Sequence, residues 1–396
     1  MAASSGNGVA RSGVVGSLLR PDYLMEARMA AAAGRLDPEG LRAAEDRAVV
    51  EAIELQQSCG IEVISDGEFR RSSWVITVPL FEADSEAPLG GFEYLPTDPQ
   101  WWALWKEPTG EHVELDGWLG DRISRQPFVT RPLTVRRDLP TEEYRFLHEH
   151  ARARSKFTIP APSWHRIFWR REHSAGAYAT SDEFIAAVAS YLRDEVVPNL
   201  IELGCDYIQL DAPNYAQWHI DPENRAAFAA AGHDMASELE ADVEFDNSVF
   251  EGITGVTRAI HICRGNGNDG RFLASGGYEA ISGEVFGRLT NYDELLLEYD
   301  SERAGGFEPL RDLLAGHTAV LGLVSTKRRE LEDPEAVRAR IDQAAAIVPL
   351  DRLALSPQCG FASGAVSKTM TASEQEAKLR LIGDVAGSVW GGEQRG

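Results

Sequence analysis

Residues 258–265 read RAIHICRG, a short apolar run that ends in polar residues. Its residue types are those of a buried strand, and the chain repeats the same unit: an apolar run, a polar end, then a helical pattern. Seven further runs of this kind lie at residues 13–17 (GVVGS), 61–68 (IEVISDGE), 156–162 (KFTIPAP), 206–213 (DYIQLDAP), 294–300 (ELLLEYD), 319–326 (AVLGLVST) and 352–360 (RLALSPQCG). Eight strands separated by helices predict an α/β fold, a (β/α)8 TIM barrel.

Helix-start signals lie between these runs. Asp-Pro pairs at residues 37–38 and 333–334 are typical of a capped first turn, and Thr180 followed by Glu183 has the spacing of a capping box. A last helix is predicted over residues 372–389. The alternation of strands and helices favours a parallel sheet.

One segment interrupts the pattern, and we expect residues 76–155 to form a long aromatic-rich insertion after the second strand. The alternation in residues 126–137 (QPFVTRPLTVRR) predicts a strand within a hairpin-rich lid over the barrel mouth. Its aromatic residues could instead form a small core of their own or an oligomer contact. They are Phe81, Phe92, Tyr94, Trp101, Trp102, Trp105 and Trp118. The whole chain, residues 1–396, is then one barrel domain carrying this insertion.

The charge balance excludes several classes of partner. The 396 residues include 39 Lys and Arg against 62 Asp and Glu, a net charge of −23 with no basic stripe, which argues against nucleic acid and acidic membranes. Neither a secretory apolar segment nor an apolar window of about 18 residues is present, so we expect a cytoplasmic protein. The hydrophobic content of 43% indicates a globular protein rather than a disordered one.

Chemistry is expected at the carboxyl ends of the barrel strands, where active sites of this fold lie. His261 and Cys263 are two residues apart in an extended run, so their side chains point to the same face. With Glu298 and Cys359 they supply one imidazole, two thiols and a carboxylate, a donor set suited to tetrahedral zinc. The polar residues predicted at this edge are Ser17, Glu68, Asp211, His261, Cys263, Glu298 and Cys359.

A single His-x-Cys in an apolar strand is more often core packing than a ligand pair. The convergence of four metal-competent side chains on one edge is what favours a metal site here. Cys59 and Cys205 have no predicted metal-competent neighbours, and we interpret them as buried thiols.

The order of motifs resembles cobalamin-independent methionine synthase, and specifically the short forms that correspond to that enzyme's catalytic carboxy-terminal barrel. The motifs are GSLLRP at 16–21, DGEFRR at 66–71, YIQLDAP at 207–213, HICRGN at 261–266, LLLEYD at 295–300 and SPQCGF at 356–361. The resemblance covers nearly the whole chain apart from the insertion. It implies methyl transfer to a thiol, with homocysteine as the thiol and methionine as the product.

The resemblance also implies roles for individual residues. Those matching His261, Cys263, Glu298 and Cys359 hold the zinc that receives the substrate thiol, with Glu298 the ligand expected to loosen. Residues matching Glu68 and Asp211 bind the ammonium of homocysteine, and the turn matching Gly16 and Ser17 meets its carboxylate. The alternatives are a helix cap for Glu68 and a loop-bonding residue at a strand end for Asp211.

The chain departs from the family pattern after the seventh strand. The stretch LGLVSTKRRE places Lys327 near the position of a family histidine that protonates a folate leaving group, so Lys327 is the candidate catalytic residue. It could equally be a solvated residue beside Arg328 and Arg329. Ala212 stands where the family has an acidic residue. The methyl or alkyl donor is therefore open among a folate, a methylcorrinoid protein, a sulfonium compound and an epoxide.

Three other functions would use some of the same sequence features. Relatives that open epoxides with the thiol of coenzyme M share the zinc chemistry, but coenzyme M has no ammonium for Glu68 and Asp211. Uroporphyrinogen decarboxylase shares the barrel without zinc, which the His261 cluster argues against. A structural zinc-binding barrel with four protein ligands would have the same sequence features.

Overall fold

A computed structural model describes residues 9–79, 87–96, 106, 125–267, 271–362 and 370–391. Its centre is a parallel six-stranded sheet in which neighbours along the chain are neighbours in space, in the order β10-β9-β8-β7-β6-β5. The strands are β1 Val63–Ile64, β2 Leu89–Pro96, β3 Arg125–Val135, β4 Arg154–Ser155, β5 Phe157–Pro160, β6 Tyr207–Asp211, β7 Thr257–Ile262, β8 Glu294–Glu298, β9 Thr318–Val324 and β10 Leu353–Pro357. The fold is α/β and TIM-barrel-like, as the sequence predicts.

Backbone contacts continue beyond both edges of this sheet. Ser12 forms a parallel bridge with Leu355 of β10, and Gly13 forms one with Val63 of β1. Strand β1 pairs in parallel with β4, and the Lys156 N–H donates to the Ile64 carbonyl at 2.9 Å. The predicted runs at 13–17 and 61–68 are thus represented by a bridge residue and a two-residue strand.

Helices follow the strands, and several begin where the sequence predicts. The Asp37 carboxylate accepts from the Gly40 N–H at 2.8 Å, and Thr180 Oγ1 accepts from the Glu183 N–H at 3.2 Å. The helices are α1 Asp22–Ala32, α2 Pro38–Ser58, α3 Leu139–His150, α4 Arg171–Ser174, α5 Ser181–Tyr191, α6 Val197–Glu202, α7 Pro213–His219, α8 Pro222–Ala230, α9 Met235–Ser248, α10 Ser282–Val285, α11 Pro334–Ala345 and α12 Ala372–Trp390. The predicted last helix at 372–389 is confirmed as α12.

The segment 76–155 contains an antiparallel hairpin, because β2 pairs with β3. Phe92 of β2 is buried and packs edge-on against Phe168 and Phe184, with ring centroids 6.3 and 6.2 Å apart. These partners belong to the segments that follow β5, so this aromatic residue joins the main body of the fold. Phe81, Trp101, Trp102, Trp105 and Trp118 lie outside the described residues.

The main core lies between the strands and the helices, where Ile208, Leu210 and Ile260 are fully buried. Cys59 and Cys205 are both buried in this core, as predicted. Within the described ranges no helix combines the length and apolar character needed to cross a membrane.

Candidate metal centre and active site

The register of the sheet brings the four predicted ligands together. His261 pairs with Leu296 of β8, whose last residue is Glu298, and β10 ends two residues before Cys359. Because parallel strands present their carboxyl ends at one edge, here called the mouth, the four side chains converge there. One ligand atom from each of His261, Cys263, Glu298 and Cys359 lies within 4.8 Å of the others.

The geometry of this cluster fits a tetrahedral metal. Two thiolates bound at about 2.3 Å to a tetrahedral zinc stand about 3.8 Å apart. Cys263 Sγ and Cys359 Sγ are 3.7 Å apart. The His261 Nδ1–H donates to the Leu296 carbonyl, 3.1 Å away, which leaves Nε2 for a ligand. Within the described residues, His261 Nε2 and Glu298 Oε2 are buried with no hydrogen-bond partner, so the donor set fits a bound cation.

The two thiols of the cluster have pKa values that are shifted in opposite directions. The Cys263 thiol donates to Cys359, which lowers the pKa of Cys359 well below its usual value and raises that of Cys263 well above it. Burial alone would lower the pKa of His261, but the neighbouring Cys359 thiolate raises it to about 9. Burial raises the pKa of Glu298 to about 7. A cation would therefore meet one thiolate already formed, whereas the Cys263 thiol and the protonated His261 imidazole would each have to release a proton.

Glu68 stands beside this cluster in a strained backbone conformation. It is the one non-glycine with positive φ among the described residues, at 58°, and its side chain is fully buried. Asp66 supports the turn by accepting from the Glu68 N–H at 2.9 Å. Thr158 Oγ1 donates to Glu68 Oε1 at 2.9 Å, while Oε2 has no partner in the described part of the chain. Burial raises the pKa of this carboxyl group.

Asp211 is the last residue of β6 and pairs in register with His261. Gln209 Nε2 donates to Asp211 Oδ1 at 2.7 Å, and Lys156 Nζ donates to Gln209 Oε1 at 2.5 Å. Burial, reinforced by the nearby Glu68 carboxylate, raises the pKa of Asp211 to about 7. The helix-cap alternative for Glu68 does not describe its contacts, since its carboxylate accepts from a strand side chain.

The turn at Gly16 and Ser17 packs directly on the segment that follows Cys359. Ser17 Oγ donates to the Ala362 carbonyl, and the Ser17 carbonyl accepts from the Phe361 N–H at 2.7 Å. A Cβ atom at Gly360 would lie 2.8 Å from the Ser17 nitrogen, so this approach requires glycine. The turn also faces Glu68, because a Cβ at Gly16 would lie 3.6 Å from Glu68 Oε1.

Lys327 belongs to the same edge. Its Nζ donates to the Gly360 carbonyl at 3.2 Å, one residue beyond Cys359. Its positive charge acts on the Cys359 thiolate and helps to lower that pKa. The side chain is half-buried, whereas Arg328 and Arg329 are exposed, so Lys327 differs from the solvated residues beside it.

Several residues that support the site were not predicted from the sequence. Thr158 and Gln209 are polar residues inside otherwise apolar strand runs, and that position is the signal that could have identified them. Arg71 and Asn266 are already present in the quoted motifs DGEFRR and HICRGN. Arg71 Nε donates to Glu143 at 2.8 Å and its NH1 donates to Thr158 Oγ1 at 3.2 Å, so it supports the residue that holds Glu68.

No protein-family model matches the chain. It is 34% identical over 384 residues to a Bacillus subtilis (strain 168) protein named uncharacterized protein YxjH, covering 96% of this chain and 94% of that protein. It is 23% identical over 353 residues to the methionine synthase of Saccharolobus solfataricus, covering 88% of this chain and 87% of that protein.

Among solved structures, the chain resembles the putative vitamin-B12 independent methionine synthase from Listeria monocytogenes. The TM-score is 0.70 at 26% identity, and the match covers 97% of this chain and 99% of the other. These proteins are thus similar to this chain in sequence and in fold along nearly its full length. The chain belongs to the cobalamin-independent methionine synthase family, as one of its short forms.

Proposed function

We propose that the protein is a zinc-dependent methyltransferase that moves a methyl group to the sulfur of homocysteine and forms methionine. The observation that carries the proposal is the buried cluster in which two sulfurs lie 3.7 Å apart beside an imidazole nitrogen and a carboxylate oxygen without partners in the described structure. Membership of the methionine synthase family supports the same reaction class.

The residues that would hold zinc are His261, Cys263, Glu298 and Cys359. When bound, zinc lowers the pKa of an added thiol so that the sulfur is available as a thiolate nucleophile. The chain's own contribution is a set of anionic ligands in a site shielded from water, since all four groups are buried or nearly so. The nucleophile attacks the methyl carbon, and the bond from that carbon to the donor breaks.

The amino-acid part of the thiol would be bound by two carboxylates and a turn. Glu68 and Asp211 are both buried at the mouth, where an ammonium ion between them would relieve the cost of burying their charge. Gly16 and Ser17, which lie against Glu68, would meet the substrate carboxylate. This arrangement favours an amino-acid thiol over a thiol without an ammonium group.

Lys327 would act on the methyl donor. Its ammonium group donates to the carbonyl of Gly360, the residue after Cys359. From there it can give a proton to the leaving group of the methyl donor, or bind an anionic part of that donor. We further infer that the sheet closes into a (β/α)8 barrel through residues 12–13, β1 and β4, with residues 1–396 forming one catalytic domain. In this domain, residues 76–155 would act as the lid over the mouth.

The test is to incubate the zinc-loaded protein with homocysteine and a panel of donors: a methylfolate, a methylcorrinoid protein, a sulfonium compound and an epoxide. Formation of methionine, or of an S-alkyl homocysteine from the epoxide, is followed by mass spectrometry. X-ray absorption at the zinc edge should show one more sulfur after homocysteine is added. If neither homocysteine nor another thiol adds a sulfur to the metal, the site is a closed structural one and the proposal fails. Cys205→Ser is the matched control, because that thiol is buried away from the cluster.

A further inference from the structure

Asn266 lies in the loop after β7, three residues beyond Cys263, and is buried. Its Nδ2 donates to Glu298 Oε1 at 2.7 Å and to Cys263 Sγ at 3.7 Å. One side-chain amide thus contacts two of the four candidate ligands at the same time. The bond to Glu298 occupies Oε1 only, and Oε2 is the carboxylate atom without a partner in the described structure.

The opposite side of the same amide fixes its orientation. Asn266 Oδ1 accepts from Gln358 Nε2 at 3.3 Å and from Arg303 NH2 at 3.5 Å. Arginine can only donate and an ionised glutamate can only accept, so the amide cannot be turned around without losing both contacts. Gln358 is held in turn, since its Oε1 accepts from the Thr326 N–H at 2.6 Å.

The loop that carries Asn266 is held in place by backbone pairing. Asn266 forms an antiparallel bridge with Phe272, which forms another with Lys106 of the insertion. Lys106 Nζ lies 2.7 Å from Asp221 Oδ2, which anchors this ladder to the residue preceding α8. Gly265 allows the tight approach, because a Cβ there would lie 2.7 Å from the Leu273 Cβ. The amide is therefore presented from a braced position.

We propose that Asn266 is a positioning residue for the metal centre. It holds Oε1 of Glu298 so that Oε2 faces the cation, and it donates to the Cys263 sulfur, which moderates the negative charge there. The same bond keeps Oε1 of Glu298 paired whether or not Oε2 is bound to a metal, so displacement of Glu298 by a substrate thiol would leave only Oε2 without a partner. This inference rests on the metal site of the proposed function.

The test measures metal binding without any methyl donor. Zinc affinity is obtained by competition with a chelator, and the cobalt-substituted protein reports the number and kind of its ligands through its visible absorption. Asn266→Ala should lower zinc affinity about 10- to 100-fold and change the cobalt spectrum, the range found when outer partners of metal ligands are removed. Asn266→Leu, which keeps most of the side-chain volume, should do the same and serves if the alanine variant folds poorly.

Asn214→Ala is the matched control. Asn214 is also buried and donates to a buried carboxylate, Asp242 Oδ2 at 3.2 Å, but that pair lies outside the cluster. Zinc affinity within about twofold of wild type and an unchanged cobalt spectrum in both Asn266 variants would overturn the inference, as would an equal loss in the control. A wild-type protein that holds zinc but methylates no thiol would instead sink the proposed function, while the affinities still decide the role of Asn266.

Discussion

Replacing Glu68 with glutamine should separate amino-acid recognition from metal binding. The substitution keeps the size of the side chain and removes its charge. Glu68 is fully buried, and its Oε2 atom has no partner in the described structure. We therefore expect Glu68→Gln to bind zinc as wild type does and to lose affinity only for thiols that carry an ammonium group.

The size of the loss follows from the burial of the site. An ammonium ion 4 Å from a carboxylate gains about 4 kcal/mol at an effective dielectric constant of about 20. Part of that interaction is retained through Asp211, the second buried carboxylate at the mouth. The expected loss is about 2–4 kcal/mol, or about 30- to 1000-fold in kcat/KM.

The assay compares homocysteine with 4-mercaptobutyrate, the same thiol without its amino group. The ratio of kcat/KM for the two thiols should fall by the stated factor in Glu68→Gln and remain unchanged in Glu294→Gln. Glu294 is a buried carboxylate that accepts from the Tyr207 hydroxyl at 2.7 Å at the opposite end of the strands, so it is a suitable control. An equal fall for both thiols would show that Glu68 does not bind the ammonium.

Three further changes test other parts of the molecule. Cys359→Ser should abolish stoichiometric zinc binding, measured by metal analysis, whereas Cys205→Ser should retain it. If the Cys359→Ser protein still binds one zinc ion, the metal site lies elsewhere in the molecule. His165, whose pKa burial lowers to about 4, contributes stability at pH 7 that is lost as the pH falls from about 6.5 towards 4. In urea unfolding, the free energy of unfolding of wild type should therefore fall between pH 7 and pH 5 by about 2 kcal/mol more than that of His165→Gln. Equal falls in the two proteins would refute this cause. Lys106→Met should remove the ion pair with Asp221 and lower the free energy of unfolding by about 2 kcal/mol. Amide hydrogen exchange should become faster at Phe272 but not at His261. Unchanged exchange at Phe272 would contradict the proposal that Lys106 holds this loop in place.

The strand-end positions of the candidate site are predictable because two simple periodicities determine them. Side chains alternate along a strand, so His261 and Cys263 must share a face. Parallel strands end at one edge, so Glu298 at the end of β8 and Cys359 just after β10 are expected near them. These two rules predict that Cys263 and Cys359 lie at the same edge, and in the structure their sulfurs are 3.7 Å apart.

The supporting bonds are not predictable in the same way. Thr158 and Glu68 are 90 residues apart, and their bond depends on a left-handed turn at Glu68 that no residue-type preference would suggest for glutamate. The contact between Asn266 and Glu298 depends on the path of a loop whose shape Lys106 of the insertion helps to fix. Sequence patterns describe regular elements, whereas these bonds are set by irregular segments that meet only in the folded chain.

Three buried polar atoms connect the fold to the chemistry. Glu68 Oε2, Glu298 Oε2 and His261 Nε2 have no partner within the described residues, although burying an unpaired polar atom costs about 1–3 kcal/mol. The bonds of these three groups involve their other atoms: Thr158 donates to Glu68 Oε1, Asn266 donates to Glu298 Oε1, and the His261 Nδ1–H donates to the Leu296 carbonyl. A cation near Glu298 and His261 and a second positive group near Glu68 would satisfy all three atoms. The same atoms that make the ligand-free fold less stable are therefore those that would give a metal ion and an amino-acid thiol their binding energy, so each ligand should raise the free energy of unfolding as it binds.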